Sequence, residues 1–393
     1  MSSLGNALTR FALPLLVYQL TGSAVNLALT AVATNVPYLL FGLPAGAWVD
    51  RLDRKRVLVV ADLVRGAVVG TVPLLAALDS LPVAWIYVVV FLSSVATIAF
   101  EAAQFAVVPS LVPKEKLVTA NGQLRSVNSA AGFLGPALGG LLIGVVDVEQ
   151  LLILDALSFA VSAASIVLLK SSFRLDARPR ETTIRRDIVE GIRYVFGDPV
   201  LRNISVMMAL VNLAAGTVFA QLILLAKDAL DATDSQVGYL FAAGAAGATV
   251  VGMLAGWLRD RLSFASAALG SLMLGGVMTV VLGATDAYVV ALVAWAVFSG
   301  FSLFFNVNTA SVRQAIAPPE MLGRVVTVAQ VVAWSLSSVG VLLGAWAIES
   351  VAGGVATVYV VSGVAQFAIA LSFWALSPLR HADELVALKE QAA

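Results

Sequence analysis

The sequence predicts an all-α membrane protein of twelve transmembrane helices, and three observations carry that prediction. Apolar segments of some twenty residues recur from end to end, separated by short polar breaks. Each is long enough to cross a hydrocarbon core about 30 Å thick as a helix. Only 12% of the residues are charged and 60% are hydrophobic, with a mean hydropathy of +0.94, whereas a soluble domain carries about 25% charged residues. The few charges gather in the breaks, and their sign alternates along the chain. Barrel-like alternation is absent, and helices satisfy their own backbone hydrogen bonds in lipid.

The spans fall at 4–20, 24–48, 57–78, 82–109, 117–146, 150–170, 202–226, 236–258, 264–283, 286–312, 322–348 and 353–377. Breaks after even-numbered spans hold Arg51, Arg54, Lys55 and Arg56, then Lys114 and Lys116, then a run from Lys170 to Arg202, then Arg259 and Arg261. Those after odd-numbered spans hold Asp79, Asp147, Glu149, Asp228, Asp231, Asp234, Asp286 and Glu349, with Lys227 the only base. Basic loops stay in the cytoplasm, so both termini are expected there.

The first span raises a difficulty. Leu4 to Leu20 makes about 25 Å of helix, Arg10 lies inside it, and no basic leader precedes it. It is expected to be a truncated first helix rather than a cleavable signal peptide.

The longest break, 171–201, divides the spans six and six. A six-helix bundle is expected over 1–170, a cytoplasmic loop over 171–201, a second bundle over 202–378 and a cytoplasmic tail over 379–393. Within the loop Ile184, Ile188, Ile192 and Phe196 share one helical face, with Arg185, Arg186 and Arg193 on others. That pattern predicts an amphipathic helix on the inner membrane surface, ended by Gly197 and Pro199; a solvated linker is the plainer alternative. The halves also repeat. "GAWVDRL" at 46–52 aligns with "GWLRDRL" at 256–262, and Phe100, Pro113, Glu115, Leu117, Gly135 and Gly139 match Phe305, Pro318, Glu320, Leu322, Gly340 and Gly344 at an offset of 205. Parallel six-helix halves are a transporter architecture.

The stretch "GAWVDRLDRKR" resembles the loop 2–3 signature of the major facilitator superfamily. Gly46, Asp50, Arg51, Arg54, Lys55 and Arg56 match it, while Asp53 stands where the pattern usually has glycine. The second copy keeps Gly256, Asp260 and Arg261 without the basic tail. The resemblance implies a conformational latch, in which Gly46 lets helices approach, Asp50 faces the positive end of the eleventh span, and Arg54 reaches Glu101. Positive-inside anchoring alone would account for the basic residues.

"NGQLRSVNSAAGFLGPALGG" resembles the exporter signature of the same superfamily, with Gly122, Gly135, Pro136, Gly139 and Gly140 in place and Ala131 at the second glycine position. Pro136 removes a donor and kinks a helix, and small residues allow close packing. "LTRFALPLLVYQLTGSA", "ADLVRG" and "VPSLVPKEKLVTANG" are similar to the bacterial drug:proton antiporter branch that includes macrolide efflux pumps and the enterobactin exporter. The resemblance implies a bacterial inner-membrane exporter, monomeric, with lipid, a small molecule and protons as its partners.

No lysine follows a glycine, so a phosphate-binding GxxxxGK loop is absent. The single histidine, His381, lies in the tail, and there is no cysteine. No metal site, cofactor, nucleic-acid partner or enzymatic nucleophile–base set is expected. An ion gradient is the remaining energy source, and the resemblance specifies protons.

Proton coupling needs a buried carboxylate. The charges inside the spans are Arg10, Asp62, Arg65, Glu101, Arg125 and Asp155, all in the first half, with essentially none at depth in the second. Asp62 and Arg65, three apart, share a face and are expected to pair, although Asp62 is also a coupling candidate. Glu101 is a latch partner or a proton carrier. Asp155 is a carrier or simply faces outside water, and Arg65 and Arg125 are long enough to snorkel to the interface. For the substrate path the candidates are Arg10, Asn35, Tyr38, Arg125, Asn128, Asn212, Gln221, Asn306, Asn308, Gln330 and Trp334, any of which could instead be a helix–helix hydrogen bond. The expected function is export of hydrophobic or amphipathic, drug-like compounds by proton antiport. The rivals are a dedicated siderophore or metabolite exporter and a non-transporting sensor or lipid-handling scaffold.

Overall fold

The structure is a computed structural model that describes residues 2–49, 52–111, 131, 135, 138–142, 146–168, 184–381 and 383–384. Every regular element among them is helical. The chain divides into two units, Met1–Glu181 and Thr182–Ala393.

The first unit contains α1 (Ser2–Thr21), α2 (Ala24–Val49), α3 (Arg54–Ala77), α4 (Val83–Leu111) and α5 (Val148–Leu168). Asp53, where the latch pattern usually has glycine, is the N-cap of α3 and accepts from the Lys55 and Arg56 amides. The position thus supplies an acceptor for otherwise orphaned helix N–H groups. Within this unit α3 packs on α4 and α5, α2 on α4, and α1 on α5.

The second unit begins with α6 (Ile184–Gly197), which stops at the predicted Gly197; Asp198 then caps α7 (Pro199–Ala220). Val195 of α6 is buried in the unit's core, and the Tyr194 hydroxyl donates to the Ile316 carbonyl at 3.1 Å. Ile192 and Phe196, on the predicted apolar face, are exposed. The remaining long helices are α8 (Asp234–Arg259), α9 (Gly270–Ala284), α10 (Tyr288–Ile316), α11 (Pro319–Ser350) and α12 (Gly354–Leu376). Here α8 packs on α10, α9 on α10 and α12, and α7 on α11 and α12.

Ten helices among the described residues are long and apolar enough to cross a membrane, four in the first unit and six in the second. α1 is a continuous helix, but Asn6, Arg10 and Gln19 make it too polar to stand among the ten. Most of 117–146 lies outside the described residues; its helical part includes Ala131, Gly135, Gly139 and Gly140.

Close packing is set by glycine, as expected where apolar side chains gain little by leaving lipid. A Cβ on Gly135 would overlap the Ala7 side chain, and one on Gly139 would fall 2.9 Å from Phe11. Their sequence counterparts Gly340 and Gly344 make the corresponding contact in the second unit, against Leu213 and Thr217 of α7. In both units the glycine stripe lies on that unit's first long helix.

Candidate functional site

In the first unit the structure buries a charged cluster. α3 places Asp62 and Arg65 on one face, and they form an ion pair with side chains only 0% and 1% exposed. The guanidinium is sandwiched between the rings of Phe100 and Phe159, each centroid 4.5 Å away. Desolvated cation–π contacts of this kind contribute about 2 kcal/mol each. Arg65 therefore does not snorkel. Eleven residues from the start of α3, it lies about 16 Å along the helix, held there by Asp62 and the two rings, although its Nε and Asp62 Oδ2 are buried without a hydrogen-bond partner.

Asp155 does not face outside water. It is fully buried and accepts hydrogen bonds from the Thr9 hydroxyl and, at 3.1 Å, from Ser158. The cause is Gly5, where a Cβ would overlap Asp155 and Ser158, so that α1 closes over the carboxylate. Arg65 lies within electrostatic range of both Asp155 and Glu101.

Arg10 of α1 lies beside Tyr38 of α2, and Glu101 of α4 is within electrostatic range of both. Glu101 is exposed, and no Arg54–Glu101 ion pair is present among the described residues. Ten residues separate Glu101 from the end of α4, about 15 Å of helix, whereas Arg54 begins α3. Lys55 instead donates to the Val167 carbonyl at 2.9 Å. Asn35 is half-buried on α2. Asp50, Arg51, Gly122, Arg125, Asn128 and Pro136 lie outside the described residues.

The second signature copy is tied to the tail. Arg259 pairs with Asp383, whose other oxygen accepts the Phe264 amide at 2.7 Å, and Leu379 is fully buried. Arg261 stacks over Trp257 at 3.9 Å. Asp260 closes the end of α8, its amide donating to Gly256.

The second unit holds a cavity of about 150 Å³. The substrate-path candidates Asn212 and Asn306 meet there, together with Ser271, Ser302, Ser337 and Gln366, against Phe219, Phe298 and Phe305. Other candidates lie elsewhere. Asn308 is buried and donates to Phe304 of its own helix, Gln221 is buried at the end of α7, Gln330 is exposed, and Trp334 is half-buried.

In the second unit an arginine stands at a helix end, just past the expected span 286–312. Arg313 of α10 is half-buried; its Nη2 rests 2.6 Å from the Met208 sulfur, and its Nε has no partner. Gln366, Arg313 and the hydroxyls of Thr9 and Ser158 were not legible as site residues, since each is ordinary in its own helix. A clue existed for Phe100, which sits beside Glu101 in a repeated pattern.

The helical architecture and these polar clusters within it define a membrane transporter. A family model for the Major Facilitator Superfamily matches residues 1–341, so the chain belongs to that superfamily. It is 25% identical to macrolide efflux protein A of Streptococcus pyogenes over 395 residues, covering 97% of this chain and 95% of that protein. It is 28% identical to the multidrug efflux pump Tap of Mycolicibacterium fortuitum over 356 residues, 86% of this chain and 84% of the relative. Among solved structures, the nucleoside transporter NupG superposes with a TM-score of 0.74 at 12% identity, covering 95% of this chain and 96% of that one. A bacterial homologue of the human lysosomal transporter Spinster, inward-facing and unoccupied, gives 0.72 at 13%, covering 99% and 96%. The protein is a multi-pass membrane transporter, not an enzyme.

Proposed function

We propose that this transporter exports hydrophobic or amphipathic small molecules in exchange for protons, with Asp155 as a proton carrier. The observation that carries the reading is the contrast between two buried carboxylates. Asp62 is held by Arg65, and protonating it would leave a buried guanidinium without its counter-charge. Asp155 is held by the neutral donors Thr9 and Ser158. It can gain or lose a proton without breaking an ion pair, as a carrier must. Its place on α5, about 10 Å from the helix start, suits alternate access from the two sides. Glu101, exposed beside Arg10 and Tyr38, is a second carrier candidate. The export direction is supported by the efflux relatives and by the glycine stripe of the exporter signature. The alternation of loop charge supports twelve spans with both termini in the cytoplasm.

The test is accumulation of a macrolide and of ethidium in an efflux-deficient bacterium expressing the chain, with and without a protonophore. Lowered accumulation that is abolished both by the protonophore and by Asp155→Asn is expected. Export that survives the protonophore would exclude proton coupling. Export lost in Glu101→Gln but retained in Asp155→Asn would move the carrier to Glu101.

A further inference from the structure

We infer that the cavity in the second unit is a binding site for one uncharged, ring-sized group that carries a hydrogen-bond donor. Size sets the first limit. An apolar cavity of about 150 Å³ accepts a molecule such as benzene, so this one takes a single ring of a larger compound. Charge sets the second, because no ionisable side chain among the described residues lines the cavity. An ion would enter without a counter-charge.

The lining amides set the chemistry. The Gln366 side-chain amide lies 3.0 Å from the Leu272 carbonyl. A carbonyl only accepts, so the atom facing it is the NH2 group. That leaves Gln366 Oε1, buried and without a partner, on a side chain 3% exposed that lines the cavity. Asn306 and Asn212 repeat the arrangement, their NH2 groups directed to Ser302 at 2.8 Å and Ala333 at 3.3 Å. Ser271 donates to Ala267. Each of these NH2 groups keeps a second N–H, but the buried group left wholly without a partner is the acceptor Gln366 Oε1, which matches a ligand hydroxyl or N–H. Phe219, Phe298 and Phe305 supply ring faces, and Phe219 packs against Phe298 with centroids 5.3 Å apart. Gly275 leaves room for Gln366, since a Cβ there would stand 2.7 Å from its amide nitrogen.

The site deepens the export reading by naming what the second unit recognises, and it is tested without transport so that either can fail alone. The purified full chain in detergent is titrated with 4-fluorophenol and with 1,4-difluorobenzene, rings of matched size with and without a donor, by fluorine NMR. Saturable binding of 4-fluorophenol about tenfold tighter than difluorobenzene is expected. Gln366→Leu, and independently Gly275→Ala, should bring the ratio close to one while the elution profile is unchanged. Equal affinities in the wild-type chain, saturable binding of neither ring, or a preference that survives Gln366→Leu would each overturn the proposal. The wild-type comparison decides even if a variant does not fold.

Discussion

Arg65 lies within α3 and Arg313 in the last turn of α10, and the two units treat them differently. In the first unit the guanidinium is fully buried, paired with Asp62 and stacked on two rings. In the second, a half-buried guanidinium meets a thioether, and among the described residues it has no acidic partner. The same residue type is a structural cross-link in one place and an uncompensated charge in the other. The contrast extends to the polar groups of each unit: carboxylates at Asp62, Asp155 and Glu101 in the first, and neutral amides and hydroxyls lining the cavity of the second. At the repeat offset of 205, Glu101 corresponds to Asn306. A carboxylate capable of holding a proton in one half is replaced by an amide that cannot ionise in the other.

The largest effect should come from breaking the buried pair. Arg65→Leu leaves Asp62 buried without its counter-charge, and a loss of about 3–5 kcal/mol is expected, read as unfolding in mixed micelles. Adding Asp62→Leu should recover much of it; a double variant no better than the single would show that the pair is not what stabilises the site. Next come the glycine stripes. Gly135→Ala and Gly344→Ala each drive a methyl into a facing helix, and losses of about 1–3 kcal/mol are expected in both units. Unequal losses would show that the two stripes are not equivalent.

Arg313→Met should act in the opposite direction, stabilising by about 1–2 kcal/mol because it removes an unpaired buried donor and leaves nothing orphaned behind. A destabilised variant would mean that Arg313 has a partner in the membrane-embedded protein. The smallest effect is at the tail. Asp383→Ala removes the Arg259 pair and the acceptor for the Phe264 amide, worth about 1 kcal/mol by analogy with a lost helix cap. An unchanged unfolding profile would show that Leu379 alone holds the tail.

Much of this was legible in the sequence where the cause is local. Asp62 and Arg65 are three apart on a helix, so their pairing followed from spacing alone. The amphipathic helix was placed to within a residue, because Gly197 and Pro199 punctuate the chain where the apolar period ends. Asp53 does depart from the usual glycine, and its capping of α3 could have been read as well, because aspartate before a helix is itself a capping signal. Partners from distant spans were not legible. Thr9 and Asp155 are 146 residues apart, and nothing in either helix announces the other. Gln366 looked like one more polar residue in an apolar span until the Leu272 carbonyl fixed which end of its amide points away.

By itself the sequence determined that the chain is a helical membrane protein, which ends of its helices carry positive charge, and that it resembles the major facilitator superfamily. Those conclusions rest on hydropathy, helical period and charge placement, properties that each segment carries alone. Only the tertiary structure decided which buried charges are matched, which carboxylate is held by neutral donors, and where the amide oxygens of the second unit converge. Each of those depends on side chains brought together from separate helices, and burial acquires its energetic meaning only when the partner is in place.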